Sequence, residues 1–163
     1  MTDETVKKEF PNCFPPNFAT EILPQNLPDL QLEVYRVCTT GTICKEAFLS
    51  TYESVMLGLK PKLRNWDKEL KKPKTYSVSC GISLKDMLDT LKCLTDYYPA
   101  AFVIQGIATS ELGPLQKTVD REPNYRNKSH VDWWLYKASD PSPRFVAATV
   151  SEAEEEAEAA LDL

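Results

Sequence analysis

The chain has 163 residues, of which 42% are apolar and 26% charged, values that suit one domain with its own core. They exclude a wholly disordered chain, a collagen and a coiled coil, and no run of 18 apolar residues offers a membrane span. The net charge of −5 is lopsided: residues 151–163 hold six acids and no base, so the preceding 150 residues stand near neutrality at +1.

The opening MTDETVKKEF is charged and has no apolar stretch of the kind a secretory signal needs. A cytoplasmic location is therefore expected, and with it reduced thiols. The five cysteines, Cys13, Cys38, Cys44, Cys80 and Cys93, contain no C-x-x-C pair and are odd in number. They are read as small buried hydrophobes rather than a disulfide framework. A zinc finger is not supported by a single histidine, His130, and no metal site is expected.

Residues 1–30 carry Pro11, Pro15, Pro16, Pro24 and Pro28 among Phe10, Phe14, Phe18, Ile22, Leu23 and Leu27. Proline fixes φ and donates no amide hydrogen, so neither a long helix nor a central strand can form there. An extended arm that lays its aromatics on the body is expected, with one short helix over 17–23. Residues 32–38 (LEVYRVC) predict a strand with Leu32, Val34, Arg36 and Cys38 on one face. From 45 to 59 the spacing of Phe48, Leu49, Tyr52, Val55, Met56 and Leu59 predicts one amphipathic helix, ended by Gly58 and Pro61. Residues 60–74 form a basic connector with seven bases and two acids.

A short strand is expected over 75–80, then a helix opened by Ser83-Leu84-Lys85-Asp86, buried through Leu84, Met87, Leu88, Leu91 and Leu94, and closed at Tyr98-Pro99. The most apolar run, 100–108, predicts a central strand bulged at Gly106. A polar loop over 109–129 leads to 130–136 (HVDWWLY), whose alternation sends Trp133 to the core and leaves Trp134 partly exposed. A last strand is expected at 144–149. The order β-α-β-α-β-β-β implies the α+β class: a mixed or mostly antiparallel sheet with about two helices packed on one side. The expected organisation is an arm over 1–30, a single domain over 31–150, and an acidic, mobile tail over 151–163.

Only five glycines are present, each isolated, so neither a P-loop nor a dinucleotide fingerprint exists. Three features can still carry chemistry. His130 and Asp132 lie two apart on one strand, where a carboxylate can orient an imidazole or raise its pKa, with the Trp134 indole on the same face. Arg36 sits mid-strand on an apolar face, and a buried guanidinium needs a carboxylate, carbonyls or an anionic ligand. Ser77 and Ser79 share a strand face and offer hydroxyls. Together, an early strand with VYR, a later S-x-S strand and a downstream strand bearing an acid resemble ADP-ribosyltransferases of the arginine–serine–acid type.

The resemblance implies that Arg36 holds the phosphates of NAD, that Ser77 and Ser79 prop the site, and that Asp132 stabilises the developing oxocarbenium ion. It makes Arg36, Ser77 and Asp132 the catalytic candidates, and Arg36, Ser79, His130 and Trp134 the cofactor-binding ones, with Tyr125 or Trp134 stacked on the nicotinamide. Here an aspartate stands where that family has glutamate, and His130 stands where a second acid would be. The leading expectation is of another class: a small cytoplasmic binding or regulatory protein, non-catalytic and without cofactor, that meets a protein partner through the aromatic face around Trp134 and Tyr136. A nucleic-acid binder using residues 60–74 is disfavoured by the near-neutral body, and no membrane partner is expected.

Overall fold

In the computed structural model the described residues are 8–149, so the mobility expected of the 151–163 tail concerns residues outside them. Among the described residues six strands form one sheet: β1 (Gln31–Cys38), β2 (Val78–Gly81), β3 (Phe102–Thr109), β4 (Leu115–Lys117), β5 (His130–Trp133) and β6 (Phe145–Ala147). Their order is β4-β5-β2-β1-β3-β6, and every neighbouring pair is antiparallel. The class is α+β, as the element order implied. The described residues hold four α-helices, α1 (Thr51–Met56), α2 (Trp66–Glu69), α3 (Leu84–Leu94) and α4 (Thr118–Arg121), and the two that pack most on the sheet are α3, against β1, β2 and β3, and α4, against β4 and β5. Only α3 exceeds two turns.

The two faces of the sheet are covered differently. One face buries Val34, Cys38, Val78, Ile104, Val131 and Trp133 beneath Phe48 and Phe145. The other packs Val37 and Val103 against Met87 of α3, with Leu84, Leu88 and Leu91 half-buried around them. α3 begins where Ser83 Oγ accepts the Asp86 amide at 3.1 Å, satisfying one of the orphan donors of its first turn. A third cluster lies beside the sheet. Phe14 and Phe18 pack there with Tyr52, Tyr76 and Trp134, and Tyr52 donates its hydroxyl to the Cys13 carbonyl at 2.7 Å. The proline-spaced aromatics of the arm thus cover part of the body, and the helical turn expected over 17–23 is a π-type turn, Phe18–Ile22.

Four local expectations are corrected. The helix over 45–59 is two pieces, a 3₁₀ turn at Lys45–Phe48 and α1, separated by extended Leu49. Ser50 restarts the chain with a reciprocal capping box, accepting the Glu53 amide while Glu53 accepts the Ser50 amide. Phe48 and Tyr52 are therefore buried in different clusters, and Met56 and Leu59 are left exposed. Gly106 is not a bulge, because the β1–β3 register runs unbroken from Gln31↔Thr109 to Cys38↔Phe102. Its hydrogen side chain instead lets the Phe145 ring lie close, where a Cβ would stand 2.7 Å from Phe145 Cγ. The loop over 109–129 contains β4 and α4, elements too short to show a period. Finally, β5 ends at Trp133, and Trp134 is fully buried because the arm aromatics and Tyr76 cover the face expected to meet solvent.

Candidate functional site

β1 and β2 run side by side in the middle of the sheet, yet their ladder is a single pair, Tyr35↔Gly81. Beyond that pair the strands part, and a cleft of about 210 Å³ opens between the end of β1 and the start of β2. Arg36 bridges the parting. Its Nη1 donates to the Ser79 carbonyl at 2.6 Å, its Nε to the Ala47 carbonyl at 2.9 Å, and its Nη2 to the Leu49 carbonyl at 3.4 Å. A side-chain donor thus meets the Ser79 carbonyl where a regular ladder would use an amide. These bonds engage three of the five guanidinium N–H groups. Arg36 has no carboxylate partner among the described residues. Burial pulls its pKa down, against smaller upward effects of Cys80 and Cys38.

The polar residues lining the cleft beside Arg36 are Thr39, Lys60, Ser79, Thr90, Asn127 and His130. Val37, Met87 and Leu94 form its apolar wall, and none of the lining residues is acidic. The Lys60 ammonium also has no ion-pair partner among the described residues, and desolvation followed by repulsion from Arg36 lowers its pKa. Cys80 lies at the base, fully buried, its thiol pushed up to about 12 chiefly by desolvation. It is a packing group rather than a thiolate nucleophile.

Asp132 lies behind the cleft on β5, with no solvent exposure. Ser77 Oγ donates to its Oδ1 at 2.6 Å, while Thr118 Oγ1 at 2.9 Å and Arg121 Nη2 at 2.8 Å donate to its Oδ2. Register explains the meeting, since Asp132 faces Ser79 on β2 and Gln116 on β4. Arg121 also bonds Gln116 and Glu122, and its guanidinium lies 5.7 Å from the centre of the Trp134 ring. His130 Nδ1 is 2.6 Å from Thr118 Oγ1. Because the Thr118 hydroxyl gives its one proton to Asp132, the His130 Nδ1–H donates to Thr118, and Nε2 is the acceptor nitrogen of a neutral ring. Burial lowers the His130 pKa; Asp132 opposes this, and Lys74 and Arg121 add to it.

The sequence candidates therefore divide into two groups. Arg36, Ser79 and His130 line one cleft, and Tyr125 stands beside it with its ring centroid 5.3 Å from that of His130. Ser77 and Asp132 are joined to each other but buried behind it. Trp134 is separate from the cleft, with its indole N–H donating to the Pro73 carbonyl at 2.8 Å. Sequence reasoning missed Lys60, Asn127, Thr118 and Arg121. Of these, only the run of bases at 60–74 gave any signal. No protein-family model, curated protein or solved structure matches the chain.

Proposed function

We propose that this chain is a binding domain without catalytic turnover, and that the β1–β2 cleft holds a small anionic ligand of the pyrophosphate or nucleotide class. The observation that carries the reading is Arg36, a largely buried cation with no carboxylate partner among the described residues, at a cleft whose lining contains no acid. Such a cation is costly unless an anion or a full set of carbonyls meets it. Three carbonyls hold the guanidinium in place, and its remaining N–H groups, together with Lys60, suit phosphate oxygens through charge-assisted bonds. At about 210 Å³ the cleft is small for a whole dinucleotide, so only part of such a ligand would sit within it.

The transferase resemblance is a second reading, favoured by Arg36, Ser79 and His130 sharing the cleft and by the bond between Ser77 and Asp132. It makes NAD one ligand of the proposed class. Asp132, however, has no exposed surface and three donors on its two oxygens. A carboxylate so placed positions Ser77, Thr118 and Arg121 and does not reach a ribose. In this reading NAD binds without being consumed. The aromatic face proposed for a protein partner had needed an exposed Trp134, and with that indole buried the cleft is the better supported place for binding. A cytoplasmic regulatory role through a protein partner remains compatible with ligand binding in the cleft.

Titration calorimetry with inorganic pyrophosphate and with NAD tests the proposal, alongside an assay of nicotinamide release. Binding without release is expected. Release of nicotinamide that Asp132→Asn abolishes would replace this reading with the transferase one, and no heat with either ligand would remove both.

A further inference from the structure

The loop that supplies Lys60 to the cleft is unusual for a folded domain. Residues 56–65 are ten consecutive exposed residues, and Leu57 and Leu59 are 64% and 65% exposed, with Met56 and Leu63 close behind. A lone exposed leucine is ordinary, but four apolar side chains within eight residues make a patch. No acid lies between Glu53 and Asp67, whereas Lys60, Lys62 and Arg64 are interspersed with the apolar residues.

The fold holds this loop out. α1 ends in a Schellman motif, in which the Gly58 amide donates to the Val55 carbonyl at 3.0 Å and the Leu59 amide to the Ser54 carbonyl at 2.8 Å. Gly58 takes the positive φ, 74°, that the motif needs. The residue in the place of Leu59 commonly packs back on an apolar side chain of the helix. Here the positions it would meet are Glu53 and Ser54, so the Leu59 side chain stays in solvent. At the other end Trp66 stacks on Tyr52 with ring centroids 6.3 Å apart, which ties α2 back to α1. A loop fastened at both ends therefore displays the leucines and the bases together.

A projecting display of leucine and lysine suits a bilayer surface better than a protein. Protein interfaces are depleted in lysine, and their binding energy concentrates in tryptophan, tyrosine and arginine rather than leucine. At a lipid interface leucines enter the boundary between headgroups and acyl chains, while lysine stems lie along it with the ammonium among the headgroups. The local charge of +5 over residues 60–74 complements anionic headgroups. Such contact needs no span. No helix among the described residues is long and apolar enough to cross a membrane, and the sequence expectation of no membrane partner rested on spans alone.

Lys60 joins the loop to the cleft, where its ammonium stands close enough to Arg36 for the two cations to repel each other. We infer that the 56–65 loop docks the chain on an anionic phospholipid surface, with a lipid phosphate entering the cleft against Lys60 and Arg36. The docking rests on the loop; the phosphate in the cleft rests on the function proposed above.

The test is flotation of the full chain at low salt with vesicles of phosphatidylcholine alone, and of phosphatidylcholine mixed with phosphatidic acid or with phosphatidylserine to equal surface charge. Binding is expected to both anionic sets and not to phosphatidylcholine alone. It should be tighter to phosphatidic acid, whose terminal phosphate is free to enter the cleft, and Lys60→Gln should remove that preference. Leu57→Ser with Leu59→Ser should weaken vesicle binding at least about tenfold, with an unchanged melting temperature and unchanged pyrophosphate affinity. Lys62→Gln should weaken it about fivefold, the share of one base near an anionic surface. Pyrophosphate binding by a chain that leaves all vesicles unbound would overturn the inference and keep the cleft reading. Vesicle binding that depends on the leucines, in a chain that shows no preference for phosphatidic acid and binds no pyrophosphate, would keep the docking and refute the cleft reading. Equal vesicle binding by the parent and the leucine variant would overturn the docking. Self-association that the leucine variant loses, without vesicle binding, would assign the surface to a second copy. Polyglutamate binding as tight as that of the anionic vesicles and insensitive to the leucines would assign it to an acidic protein.

Discussion

Truncating Asp132 to alanine should destabilise the fold rather than silence a reaction. The carboxylate is fully buried and accepts from Ser77, Thr118 and Arg121 at 2.6–2.9 Å. Removing it leaves a guanidinium that is only 18% exposed without its buried counter-charge, while the Ser77 hydroxyl falls back on the Lys74 carbonyl at 2.9 Å and the Thr118 hydroxyl on His130 Nδ1 at 2.6 Å. Breaking a buried ion pair from one side costs about 3–5 kcal/mol, a large share of the roughly 5–15 kcal/mol that holds a domain together. At about 2–4 °C per kcal/mol for a chain of this length, the thermal midpoint should fall by about 6–20 °C. Urea unfolding should show the midpoint shift with an unchanged slope. Asp132→Asn keeps one acceptor oxygen and should lose less. A shift below about 1 kcal/mol in Asp132→Ala, together with lost turnover of NAD, would show that Asp132 reaches solvent and substrate, and the positioning role would be refuted.

Three further outcomes follow from burial. Trp134→Ala should cost about as much as Trp133→Ala, about 3–5 kcal/mol each by denaturant unfolding, because both indoles are fully buried and both donate to carbonyls; a near-silent Trp134→Ala would mean that the arm does not cover it. Alkylation followed by peptide mass analysis should modify Cys93 first, Cys13 more slowly because burial and Glu53 raise its pKa, and Cys80 only after unfolding, since its thiol is buried and pushed up to about 12. His130 is depressed below its ordinary 6.5 mainly by burial, so the unfolded chain binds the extra proton first. The stability it contributes is complete above about pH 6.5 and falls as the pH drops from there towards its folded value. Melting curves from pH 7 to 5.5 should therefore decline, and less so in His130→Asn; equal declines would place the titration elsewhere.

The sequence made the sheet legible where patterns are long. β1, from its alternation, and β3, from its apolar run, form within two residues of their expected places, and α3 starts where expected but ends at Leu94, four residues before Tyr98. It failed where a decision rested on long-range cover. The alternation of 130–136 placed Trp133 correctly, but no local pattern could reveal that Phe14 and Phe18, more than a hundred residues earlier, close over Trp134. The helix over 45–59 failed for a local reason that was readable, the Ser50-x-x-Glu53 capping signature inside the apolar stripe. Of the candidate site, Arg36, Ser79 and His130 share a cleft because their strands occupy adjacent places in the sheet. The cleft itself depends on β1 and β2 separating after one ladder pair, and separation of strands leaves no mark on composition or spacing. Lys60 was visible only as one of seven bases, with nothing to distinguish it from the others.

The anionic-ligand account is tested most directly by pyrophosphate calorimetry at low salt on the parent chain and on Lys60→Gln. Lys60 is exposed and holds no other element in place, so the variant should keep its melting temperature. The account predicts saturable binding of one pyrophosphate per chain, weakened about tenfold by the substitution, a loss of roughly 1.4 kcal/mol for one charge-assisted contact. Equal affinity in the two proteins, or no saturable binding to the parent chain, would contradict it.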